Sequence, residues 1–304
     1  MMIRVLGSAA GGGFPQWNCN CTNCARLRNG TINAKARTQS SIAVSGDARN
    51  WILFNASPDI RAQLEAFPVL QPGRSVRDTA IVGVVLIDGQ IDHTAGLLFL
   101  REGDPINLYC TEPVHEDLTT GNPILKVLDH FCGVNWHRVP LNSSEHFTVR
   151  GADHLQLTAI PLDGKPPPFS PYRDEPRPGD NIGVLIEDAR SGASVFYAPA
   201  LAGLDERIAE VMKRCDCVLV DGTFWSDDEL VTSGIGDKRA QDMGHLPQSG
   251  DDGMIRLLAA MDRPRRVLIH INNTNPILDE ESPQRAQLNA AGIEVACDGM
   301  EITL

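Results

Sequence analysis

The sequence lacks any run approaching the roughly 18 apolar residues of a membrane span. Its start, MMIRVLGSAAGGG, holds one basic residue and then breaks into glycine, unlike a secretory signal. A dense basic patch is missing as well. Lys plus Arg number 27 against 39 Asp plus Glu, for a net charge of −12. Such a chain repels phosphate backbones and anionic lipid, so the expectation is no nucleic-acid partner and no membrane insertion. Arg263, Arg265 and Arg266 come nearest to a basic cluster and read as a solvated helix end. With 42% hydrophobic and 22% charged residues, the composition also lacks the bias of disordered, collagen-like or coiled-coil chains. A cytoplasmic location is expected. The 304 residues suit two average domains or one large layered domain, and no linker-like stretch divides them.

Disulfide spacing is absent too. Of eight cysteines, those at 110, 132, 215, 217 and 297 are scattered, and Cys215 and Cys217 bound an apolar run that reads as core. Cys19, Cys21 and Cys24 lie within six residues. In a reducing compartment a close trio reads as a metal site. Three thiolates in one loop can take three corners of a zinc tetrahedron, and no base or nucleophile stands beside them, so a structural zinc is expected.

Apolar periodicity predicts strands over residues 3–6, 40–44, 51–55, 80–87, 106–110, 155–161, 182–187, 194–198, 217–221, 266–270, 293–297 and 300–304. Helical spacing predicts helices over 58–67, 96–101, 114–128, 205–214 and 251–261, with a last one between an Ser282 N-cap and Gly292. The order implies mixed sheets with helices outside, in one domain spanning 1–304. Residues 165–179 hold six prolines and cannot be regular structure. A loop that long reads as a lid over a site, with Phe169 and Tyr172 available to stack on a ligand ring.

Polar residues gather just past the predicted strands. Asp88, Gln90, Asp92 and His93 follow the β-branched run at 80–87, and His270, Asn272, Asn273 and Asn275 follow another strand. The carboxyl ends of such strands are where α/β sheets place ligands. Each group has a bland reading beside it: Asp92 as a helix cap, His270 as a core histidine, His245 in Gly-His-Leu-Pro as surface loop. The glycine-rich loop at 7–13 lacks the Lys-Ser/Thr of a phosphate loop.

Taken in order, the strand into Leu6-Gly7, the Cys19-x-Cys21-x-x-Cys24 loop, Asn55-Ala-Ser57-Pro-Asp59 and Asp92-His93-Thr-Ala-Gly96 resemble the metallo-β-lactamase superfamily. That resemblance implies an α/β fold, a four-layer αββα sandwich with its site at one edge of two sheets. Within the superfamily, the Gly11 to Cys21 stretch, the Gly244-His-Leu-Pro247 loop and the His270-Ile-Asn-Asn-Thr-Asn-Pro276 segment are similar to the branch that serves biosynthesis of pyrroloquinoline quinone (PQQ). The superfamily's His-x-His-x-Asp-His metal signature here reads Asp88, Gln90, Asp92, His93. The histidine expected after Pro161 is missing, with Asp163 nearest, and Ala198-Pro199-Ala200 stands where a bridging acid is expected. The final histidine survives as His270.

What the resemblance implies is therefore one active-site metal held by Asp92, His93 and His270, with Asp88 and His245 close by as catalytic groups. Two imidazoles and a carboxylate suit iron(II) activating oxygen, and would also suit zinc. The implied function is an iron-dependent oxygenase hydroxylating the tyrosine of a Glu-Tyr precursor, so the partner is a small peptide or amino-acid-derived PQQ precursor. The alternatives are a carrier of PQQ or its precursor and a residual metallo-hydrolase. The zinc at Cys19, Cys21 and Cys24 has Asn273, His270 or water as candidates for its fourth ligand. The oligomeric state stays open, a homo-oligomer included.

Overall fold

The computed structural model describes residues 1–142 and 144–304. The first six strands are β1 (Met2–Gly7), β2 (Ser41–Ser45), β3 (Trp51–Phe54), β4 (Ile81–Val85), β5 (Ile106–Cys110) and β6 (Val134–Arg138). The next six are β7 (Leu155–Pro161), β8 (Ile182–Asp188), β9 (Ser194–Ala198), β10 (Cys217–Asp221), β11 (Arg265–Ile269) and β12 (Ile293–Val295); β13 (Glu301–Thr303) closes the chain. They make a seven-stranded sheet in the order β13-β1-β2-β3-β4-β5-β6 and a six-stranded sheet in the order β12-β11-β10-β9-β8-β7. In each sheet a parallel block, β3 to β6 or β9 to β12, adjoins antiparallel strands.

The apolar strands are unbroken because both of their faces are covered. Along β10, Cys217 and Leu219 enter the core between the sheets, while Val218 and Val220 face an outer layer of helices. On β3 the same alternation sends Ile52 and Phe54 inward and Trp51 and Leu53 outward. One outer layer packs Ile208, Met212, Met254 and Leu288 on the six-stranded sheet; the other packs Ile60, Val114, Leu118 and Leu125 on the seven-stranded sheet. The result is the αββα sandwich.

Several details depart from the sequence expectation. The helix expected over 114–128 is two, Glu112–Asp117 and Ile124–Leu128. Between them a Cβ on Gly121 would stand 2.1 Å from the Phe169 carbonyl oxygen, so the proline-rich loop and this break pack as a unit. Strand β6 escapes prediction because Val-Asn-Trp-His-Arg, at a sheet edge, offers only two apolar residues, Val134 and Trp136, and both are only partly buried against the outer layer. The arginine trio is no solvated helix end. Arg265 and Arg266 open β11; Arg265 pairs with Glu294 at 2.6 Å, Arg266 donates to the Leu258 and Met261 carbonyls, and Arg263 pairs with Asp216 at 3.0 Å. Among the described residues no helix is long and apolar enough to cross a membrane.

Candidate metal centres

Three strand ends converge at one edge of the sandwich. β4 runs through Leu86 and Ile87 to Asp88, and the short helix Ile91–Thr94 then carries Asp92 and His93. β10 ends at Asp221, two residues before Thr223. β11 ends at Ile269, and His270 follows it with a φ of 61°, in the left-handed region. A non-glycine residue there is strained and persists only where its surroundings fix it. Here Thr223 Oγ1 lies 2.9 Å from His270 Nδ1, and Ser8 and Ala10 of the glycine-rich loop bond both polar groups of Ile271 at 2.9 Å.

Asp92, His93 and His270 each offer one ligand atom, and those atoms lie within 4.8 Å of one another. Asp92 Oδ2 is 3.2 Å from His270 Nε2 and 3.9 Å from His93 Nε2. His245, on the turn after Gly244, stacks on His270 with centroids 5.4 Å apart. A Cβ on Gly11 would stand 3.4 Å from Asp92 Oδ2, so the glycine-rich loop forms a wall of the site.

Behind the imidazoles lies a second layer that fixes their tautomers. His93 Nδ1 sits 2.8 Å from Asp88 Oδ1, and His245 Nδ1 sits 2.8 Å from Asp221 Oδ2. Thr223 donates to Asp221 Oδ1 at 2.6 Å, which leaves its oxygen to accept from His270 Nδ1. All three Nδ1 positions are thus engaged by acceptors, and the Nε2 atoms are left for the centre, the arrangement that metal-binding histidines use. Asp88, 1% exposed and turned to His93, is thus placed as a positioning group. Asp221 and Thr223 were not singled out from the sequence. The available signal was an acid closing a buried strand, the same pattern that marks Asp88.

The electrostatics ask for a cation. Burial pushes His93 toward neutrality, but the Asp88 and Asp92 carboxylates outweigh it and hold its pKa up to about 9. Asp92 is partly buried, yet His93 and His270 hold its carboxyl well below the usual range. At neutral pH a proton on His93 thus balances two carboxylates. His93 Nε2 is buried with no hydrogen-bond partner among the described residues. A cation between Asp92, His93 and His270 would replace that proton and satisfy the orphaned nitrogen, so the residues fit a metal.

The cysteines form a second cluster, with sulfurs again within 4.8 Å of one another. Cys21 caps the helix Thr22–Arg28, which carries Cys24. Burial and the neighbouring thiols push Cys21 up to about 11, while hydrogen bonds outweigh burial at Cys19 and hold it below its ordinary value. Three thiolates cannot all ionise side by side without a cation. The Asn273 amide lies at their hub, its Nδ2 3.1 Å from Cys19 Sγ and 3.4 Å from those of Cys21 and Cys24. A half-turn of that amide presents Oδ1 to the same point, the form a metal would take. His270 faces the other centre and is removed from the candidates for a fourth ligand here.

The Asp92–His93–His270 centre opens on a cavity of about 680 Å³, lined from the proline-rich loop by Lys165, Pro168, Arg173 and Pro176. The loop does lie over the site. The stacking role expected of Phe169 and Tyr172 does not hold. Tyr172 donates to Glu116 at 3.0 Å under the Arg177 guanidinium, Phe169 packs against Gly121, and neither lines the cavity.

A β-lactamase superfamily domain matches residues 50–271. Coenzyme PQQ synthesis protein B of Azotobacter vinelandii is 60% identical and that of Nitrosococcus oceani 58% identical, each over the whole of both chains. The chain belongs to the coenzyme PQQ synthesis protein B family. A solved structure of this family, Zn(2+)-bound PqqB from Methylobacterium extorquens, superposes with a TM-score of 0.91 at 38% identity over both full lengths. A diphosphatase of the PhnP family, at 18% identity and a TM-score of 0.67 over 99% of this chain and 96% of its own, shares the fold. The PQQ synthesis protein B family thus carries the metallo-β-lactamase sandwich. Here Asp88 bonds His93, and Gln90 bonds back to Asp88 through its own backbone N–H at 2.9 Å.

Proposed function

We propose that this chain acts in PQQ biosynthesis as a mononuclear iron(II) oxygenase that hydroxylates the tyrosine ring of a Glu-Tyr precursor, using Asp92, His93 and His270 as metal ligands. The observation that carries the reading is the buried, partnerless His93 Nε2 turned toward Asp92 and His270. Two imidazoles and one carboxylate would hold an iron(II) ion without filling its coordination, a donor set suited to oxygen chemistry. The iron when bound supplies activation of dioxygen. One oxygen atom enters the ring, the other leaves as water, and two electrons come from an external reductant.

The chain's own residues do the rest. Asp88 and Thr223 hold His93 and His270 so that both Nε2 lone pairs face the centre. Asp221 does the same for His245, whose Nε2 is placed to take the phenolic proton as the ring is oxygenated. The apolar wall of Pro168, Pro176, Phe224 and Met243 excludes water beside the ring. Cys19, Cys21 and Cys24, with Asn273 as fourth ligand, hold a structural zinc in this reading; that the Methylobacterium extorquens relative binds zinc supports zinc in the family, at either centre.

A carrier of PQQ or its precursor would use the same cavity, but it gives no role to the second layer that orients three imidazoles. A residual two-metal hydrolase finds no support, since Asp88 faces away from the centre and Ala198 to Ala200 offer no bridging acid. The test is anaerobic loading with iron(II), followed by oxygen uptake and product mass with Glu-Tyr peptide and a reductant. Oxygen consumed together with a product heavier by one oxygen atom is the expected result. Tight binding of the peptide without either would overturn the oxygenase in favour of the carrier.

A further inference from the structure

The cavity holds more information than its metal centre. Three cations line it: Lys165 and Arg173 from the proline-rich loop, and Lys238 from the segment before His245. The loop's other arginine, Arg177, is consumed by Glu116 at 2.7 Å and Asp180 at 3.7 Å. Among the described residues Lys165, Arg173 and Lys238 enter no ion pair, in a chain with a net charge of −12. The carboxylates that share the lining do not neutralise them. Asp88 is turned to His93 and Asp92 to His270; Asp242 accepts the Arg239 backbone N–H at 3.0 Å, and Asp163 stands exposed without touching them. Arg173 is also fixed in place, since its guanidinium donates to the Pro166 carbonyl across the loop.

We propose that Lys165, Arg173 and Lys238 form a carboxylate-recognition arc, so that the cavity selects an aromatic substrate bearing two or more carboxylates and holds it with its ring over the metal centre. This rests on the oxygenase reading for what happens at the ring, but not for binding. A planar guanidinium grips a carboxylate through paired N–H donors, whereas an ammonium acts as a point charge. Arg173, half-buried and anchored, therefore fixes the substrate's register, and the two exposed lysines add attraction at the mouth. Because the cations ride on the proline-rich loop and the 226–244 segment, a dianion bridging them would tie two otherwise separate walls together.

The experiment measures affinity by calorimetry on zinc-loaded protein, where no turnover intervenes, for Glu-Tyr and for Gln-Tyr amide, which carries no carboxylate. The arc predicts binding of the dicarboxylate at least about tenfold tighter, weakening as salt rises. Arg173→Met should remove most of that preference, Arg173→Lys should restore part of it, and Lys165→Met with Lys238→Met should flatten the salt dependence. Equal affinity for both peptides, or a preference untouched by Arg173→Met in a protein that keeps its melting temperature, would overturn the arc. Failure of oxygen chemistry with the preference intact would overturn the oxygenase alone.

Discussion

At the scale of single residues, chemistry is divided between groups that meet the centre and groups that aim them. Asp88 is the clearest of the second kind. Removing its charge while keeping its shape, in Asp88→Asn, should leave the fold standing and lower metal affinity at the centre by about 10- to 100-fold, read by competition with a chelator. An unchanged affinity would show that His93 holds its orientation unaided. Asp92, His93, His245 and His270 were legible in the sequence because each follows a strand or a glycine turn. Asp221 and Thr223 were not, because a tautomer-fixing contact made 24 or 47 residues away leaves no local spacing. Glu229 was overlooked for the same reason. It is 7% exposed, and burial raises its carboxyl to about 7 although Thr274 and the Trp225 N–H both donate to it. Since this folded value exceeds the unfolded one, the native state binds more protons between about pH 4.5 and 7. Stability should fall as pH rises through that window, by an amount on the order of 3 kcal/mol. Glu229→Gln should remove that slope from denaturant titrations at pH 5 and pH 8; an identical slope in the variant would place the titrating group elsewhere.

At the scale of elements, the segment 270–275 joins the two centres. His270 faces one, and Asn273 reaches the hub of the other. Asn23, on the cysteine helix, donates to the Asn273 and Asn275 carbonyls at 3.1 and 3.0 Å, and Asn275 in turn donates to the Gly222 and Thr223 carbonyls. This clamp therefore links the cysteine cluster to the backbone that backs the strained His270. Cys21→Ser should lower bound zinc and melting temperature together, and it should weaken metal at the Asp92–His93–His270 centre as well. Full zinc content in the variant would sink the cysteine site; lost zinc with an undisturbed centre would sink only the coupling. Most strands were legible because sheets covered on both faces demand long apolar runs. The edge strand β6 and the two-helix break at Gly121 were not, because each is set by a neighbour far along the chain rather than by its own residues.

At the scale of the whole molecule, the sandwich makes the site rigid by making its three strand ends part of one core. Leu219 on β10, Val267 and Ile269 on β11 and Val85 on β4 are all buried in the layer between the sheets. Leu219→Ala should cost about 2–5 kcal/mol in chemical denaturation, with the centre and the fold lost together. The family's layered architecture was legible from the order of strands and motifs, while the charge lining of its cavity emerged only once distant loops were brought side by side. The central claim is that Asp92, His93 and His270 hold the metal that oxygenates the substrate. The most direct measurement is metal content and oxygenated product in His93→Ala after anaerobic iron loading, beside the wild-type chain. The account predicts that the variant keeps the zinc at its cysteines, binds no iron and forms no product. Iron-dependent product at the wild-type rate in that variant would contradict it.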